Sequence, residues 1–71
     1  MLDDVIEKLL SETKAGKWMS LQKLHEILQY YFPEKSKAEK VMEFLEKHLI
    51  EVDSDQYLVR LNDWAYKLFE S

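Results

Sequence analysis

Cysteine is absent from this 71-residue chain, and glycine and proline occur once each. No apolar run approaches the roughly 18 residues needed to span a bilayer. The missing cysteine excludes disulfide staples and thiolate metal ligands, and it fits a reducing compartment without requiring one. A single glycine cannot build a glycine-rich phosphate loop. The start Met1-Leu2-Asp3-Asp4 is acidic where a secretory leader would be basic, so a cytoplasmic protein with no membrane partner is expected. His25 and His48 fall on different predicted helices, neither with a second ligand at short helical spacing, and no metal site is expected. Serine, histidine and acidic residues are present without a recognisable nucleophile motif. A domain this small also has little interior in which to bury an acid–base pair. The expectation is a protein that is not an enzyme and carries no small-molecule cofactor.

What is present is a globular composition. Hydrophobic residues make up 46% of the chain and charged residues 34%, which puts it well above the apolar poverty of disordered chains. One domain over residues 1–71, folded on one core, is the economical reading of this length. Three Phe, four Tyr and two Trp are its expected anchors. The net charge of −4 is unevenly placed, because Lys14 to Lys47 holds seven lysines against five glutamates, giving +2 between two flanks of −3 each.

Leu2, Val5, Ile6, Leu9 and Leu10 share one helical face, predicting a first helix from Leu2 to Lys14 with Gly16 as its stop. Lys17-Trp18-Met19 reads as a short extended piece. Ser20 then caps a second helix with Leu21, Leu24, Ile27, Leu28 and Tyr31 on its inner face, ended by Pro33. Ser36-Lys37-Ala38-Glu39 has the spacing of a capping box and predicts a third helix beginning at Ser36, with Ala38, Val41, Met42, Leu45 and Leu49 turned inward. After Leu49 the period shortens. Leu49–Val52 and Tyr57–Leu61 flank the polar turn Asp53–Gln56 and predict a β-hairpin. Asn62 or Asp63 caps a last helix that runs through Phe69.

The order helix, short strand, helix, helix, hairpin, helix resembles the winged helix-turn-helix superfamily. The resemblance covers nearly the whole chain in element order and length. It implies a mostly α fold with the hairpin as the wing and the third helix in the position that enters a DNA major groove. On that helix Lys37, Lys40 and Lys47 could each neutralise a phosphate, and Phe44 could meet a thymine methyl or a protein partner. Glu43 and Lys47 equally form the favoured order of a helix ion pair on a solvated face. No Arg, Asn, Gln or short hydroxyl side chain occurs between Lys37 and His48, so base reading by this helix has little support. Glu51, Asp53 and Asp55 gather in the wing, where phosphate contact would need cations.

Trp64, Ala65, Tyr66, Leu68 and Phe69 cover an arc of about 200° on the last helix, wider than a single core contact needs. Trp64 and Leu68 are expected to join Leu61 in the core, leaving Tyr66 and Phe69 for an interface, most simply a two-fold homodimer. The plain alternative is that the first helix folds over them. Two functional expectations follow. One is a winged-helix DNA-binding protein of the transcriptional-regulator kind, contacting double-stranded DNA. The other is a winged-helix protein-interaction module that binds a protein partner and no DNA.

Overall fold

The apolar periods resolve into four helices and a three-stranded antiparallel sheet in the computed structural model, which describes residues 1–70. Helix α1 is Leu2–Glu12, followed by a 3-10 turn at Lys14–Gly16 and strand β1, Met19–Ser20. Helices α2, Leu21–Tyr31, and α3, Lys35–His48, lead into strands β2, Ile50–Asp53, and β3, Leu58–Leu61, and then α4, Asp63–Glu70. This mostly helical order, with a strand before the second helix and a hairpin before the last, is the expected winged helix-turn-helix arrangement. Among the described residues no helix is long and apolar enough to cross a membrane.

The strands lie in the order β1-β3-β2. Ile50 faces Leu61, and Val59 faces both Val52 and Met19, so these side chains share the face covered by the helices. Onto it pack Val5 and Leu9 of α1, Leu24 and Leu28 of α2, Leu45 of α3, and Ala65 of α4, all buried. Among the described residues Thr13 is the one buried polar residue, and it donates its hydroxyl proton to the Leu9 carbonyl at 2.6 Å, so none of their buried side-chain polar atoms is unsatisfied.

Helix ends depart from expectation in two places. α1 stops at Glu12 rather than Lys14, because Ala15 and Gly16 both turn to positive φ, 58° and 78°, and take the chain out of the helix. α3 begins at Lys35 with Glu34 as its N-cap residue, so Ser36 already lies in the first turn and the expected capping box does not form. Glu34, at φ −73° and ψ 120°, makes the break directly after Pro33. Its carbonyl accepts from Ala38 N–H at 3.0 Å, and its carboxylate meets Lys37 at 3.3 Å. A carboxylate at a helix N-terminus suits the dipole there, and the turn between α2 and α3 shortens to Phe32–Glu34. The Ser20 cap forms as expected, its hydroxyl accepting from Lys23 N–H at 3.0 Å.

In the hairpin Val52 lies on paired antiparallel strands as expected, but Tyr57 does not. Tyr57 closes the turn at φ 57°, while its carbonyl accepts from Leu21 N–H at 2.8 Å, which ties the hairpin to the start of α2. Asp53 builds the turn itself: one carboxylate oxygen accepts from Asp55 N–H at 3.1 Å and Gln56 N–H at 3.2 Å.

Asn62 joins three elements. Its N–H donates to Leu49 O at 2.8 Å, its side-chain amide donates to His48 O at 3.1 Å, its side-chain oxygen caps Ala65 N–H at 2.7 Å, and its carbonyl receives Tyr66 N–H at 2.9 Å. This cap aims α4 so that Ala65, Tyr66 and Phe69 turn inward, opposite to the expected rotation. Trp64 and Leu68 are the exposed pair, at 62% and 52%. The Tyr66 hydroxyl accepts from Ala15 N–H at 3.1 Å, so the positive-φ loop after α1 supplies the donor that draws the ring inward. Tyr66 and Phe69 are half-buried against the domain's own core, and Trp64 and Leu68 take the outer positions.

Asn62→Ala should cost about 1–2 kcal/mol in urea unfolding through loss of the α4 cap, whereas Asn62→Asp, which keeps the acceptor, should cost less. The exposed pair Lys23–Glu12, at 2.8 Å, joins α2 to α1, and the hydrogen bond and charge of Lys23 hold the Glu12 carboxyl below its ordinary value. A lowered folded-state pKa gives stability that is present above the ordinary carboxylate range and lost as pH falls through the lowered value. The stability difference between the wild type and Lys23→Gln should therefore be small but measurable at neutral pH and vanish in acid.

Candidate nucleic-acid interface

α3 seals Leu45 into the core and leaves Ala38, Val41 and Met42 half-buried along the same stripe. The opposite side is polar and carries the four residues singled out from the sequence. Lys37, Lys40, Phe44 and Lys47 are all exposed. At about 100° per residue they fall within about 80° of one another around the axis, along a run of about 15 Å. They form one continuous stripe. Phe44 is 44% exposed, and its ring lies 5.0 Å from that of His48. His48 is itself exposed. Lys37 shares its charge with Glu34, while Lys40 and Lys47 have no ion pair among the described residues.

The wing supplies no cation to extend this stripe. Arg60 donates to Gly16 O at 3.1 Å, lies 4.2 Å above the Trp18 ring and stands 3.5 Å from the Glu51 carboxylate. The guanidinium is thus spent on clasping the loop after α1 to the outer face of the sheet. Neither the Arg60–Trp18 stack nor the outward turn of Trp64 carries a short-range sequence signal, because each depends on how distant elements dock.

His25 and His48 stay apart, and among the described residues no group of three potential metal ligands comes together. Beside the N-terminal half of α3, a cleft of about 560 Å³ opens between α2 and α3, lined by Leu28, Phe32, Ala38 and Met42 with His25 and Lys35 among its polar groups. Helical periodicity gives no sign of this cleft. The Phe32-Pro33 turn that joins the two helices lines it as well.

Comparison with protein-family models, with curated proteins and with solved structures finds no match.

Tyr57 stands at the hairpin tip, 68% exposed and in the left-handed region that a side chain with a Cβ resists. Tyr57→Asn should raise the unfolding free energy by up to about 1 kcal/mol, since Asn tolerates this conformation and the ring is mostly in solvent. Thermal or urea unfolding reads the gain directly.

Proposed function

We propose that the chain is a winged-helix domain of the small transcriptional-regulator kind that contacts double-stranded DNA through α3. The observation behind this reading is the single exposed stripe of Lys37, Lys40, Phe44 and Lys47 on the helix that occupies the recognition position. Lysines at this spacing suit phosphates along a groove, and Phe44 suits a thymine methyl between them. With no bidentate base reader on the helix, binding is directed at the backbone and sequence preference is weak. The acidic hairpin turns away from the duplex, because Glu51, Asp53 and Asp55 repel phosphate while Arg60 is engaged elsewhere.

The second reading, a protein-interaction module, draws on the net charge of −4 and on the half-exposed Phe44 beside His48. One titration separates the two. Random-sequence duplex DNA at low salt should bind the wild type, with affinity falling steeply as salt rises. Lys37→Gln, Lys40→Gln and Lys47→Gln together should weaken binding and lower the salt slope by about 0.9 for each phosphate that is no longer neutralised. Asp53→Asn with Asp55→Asn should strengthen it. A folded wild type that binds no duplex at low salt overturns the DNA reading in favour of the protein-interaction one.

A further inference from the structure

The sheet ends in an open edge. In the order β1-β3-β2, only β3 pairs with β2 among the described residues, so one side of Ile50–Asp53 has no neighbouring strand there. The ladder shows which backbone groups face that side. Asn62 N–H bonds Leu49 O, making Leu49 and Asn62 a hydrogen-bonded pair, and alternation along the antiparallel register makes Glu51/Arg60 and Asp53/Leu58 the next such pairs. The N–H and C=O of Val52 therefore point away from β3. No hydrogen bond among the described residues takes either group. The Val52 side chain is 37% exposed although its cross-strand partner Val59 is fully buried, so the inner face is open at this edge as well.

We propose that this edge of β2 is a docking site for an extended basic segment of a partner polypeptide, which adds to the sheet as a fourth strand. The register and charges of β2 select the occupant. A second copy of the chain adding antiparallel, with its own outward groups at Ile50 and Val52, must set acid against acid. Pairing Val52 with Val52 places Glu51 opposite Asp53 of the copy, and pairing Val52 with Ile50 places Glu51 opposite Glu51. Like charges directly opposite one another destabilise a strand pair. An extended segment with Lys or Arg at alternate positions reverses the sign of both contacts. Its apolar residues would fall beside Val52 on the inner face, and its cations beside Glu51 and Asp53 on the outer face. Asp55 in the adjoining turn adds to the attraction. Acidic side chains thus block self-pairing of this edge while leaving it competent for a chain of opposite charge. This inference does not rest on the α3 reading: it uses another surface and a polymer of opposite charge.

The probe is a blocked seven-residue peptide, Thr-Lys-Val-Lys-Val-Lys-Thr, titrated into the isotopically labelled full chain at low salt. The expected result is a set of amide shifts centred on Glu51 to Asp53, with hydrogen exchange at the Val52 amide slowed at least tenfold at saturation. N-methylation of both peptide valines, which removes ladder donors without changing charge, should weaken binding at least tenfold. Val52→Pro removes the outward N–H alone, a substitution that edge strands accept, and should have a similar effect. Glu51→Gln with Asp53→Asn preserves the turn acceptor and should weaken binding several-fold and flatten its salt dependence. Any one of three results overturns the proposal: no binding, equal binding of the N-methylated peptide, or shifts centred away from β2. A peptide-free chain that sediments as a dimer with its Val52 amide protected would overturn the choice of occupant.

Discussion

Asn62 closes the fold because every hydrogen-bonding group it owns is used, and each bond goes to a different need. Its side-chain amide and backbone N–H satisfy carbonyls at the end of α3, while its side-chain oxygen and carbonyl start α4. One residue therefore fixes how α3, the hairpin and the last helix meet. The consequences spread outward. The cap sets the rotation of α4, the rotation buries Ala65 and brings the Tyr66 hydroxyl to Ala15 N–H, and that bond pins the loop between α1 and β1. Arg60, two residues before Asn62, holds the same loop from the other side through Gly16 and Trp18.

A small domain without covalent staples has few ways to unite its ends, and this one does it with polar contacts at the rim of an aliphatic core. The core supplies the non-directional part of the stability, through leucines and valines drawn from the helices and the sheet. The rim supplies direction. Thr13, Ser20, Asp53 and Asn62 each satisfy backbone groups where an element starts or stops. These positions decide where α3 and the hairpin point, and so which charges reach solvent together.

Much of this was legible in the sequence. The helical periods placed the inner stripes of α1, α2 and α3 correctly, the Ser20 and Asn62 caps were visible as residue types, and the change of period after Leu49 marked the hairpin. The lysine stripe was legible for the same reason: once the inner face of a helix is known, its outer face follows. Three features were not. The Ser36 capping box lost to a helix start at Lys35 with Glu34 as N-cap, because Pro33 permits the earlier break and Lys37 reaches back to Glu34. Tyr57 falls in the turn because its φ of 57° lies outside strand geometry, and its long-range tie, from Leu21 N–H across 36 residues, carries no local signal. The rotation of α4 was misread because its apolar arc is wide enough to permit several orientations, and the choice rests on a hydroxyl bond to a loop 51 residues away. Local chemistry fixed the elements, and long-range hydrogen bonds chose among the arrangements it permitted.

The pairing of β1 with β3 has a further consequence for how the chain acquires its structure. Met19 and Ser20 meet partners at Val59 and Leu58, so the first strand of the sheet to be synthesised waits for the last of the three. The first two helices can form locally as they emerge, but the sheet that receives them exists only once Leu58–Leu61 has emerged as well. A nascent chain halted before Leu58 would expose Val5, Leu9, Leu24 and Leu28 without the surface that covers them. Folding of the sheet is thereby coupled to the appearance of β3, and a chain interrupted before it would present an open apolar hairpin of helices.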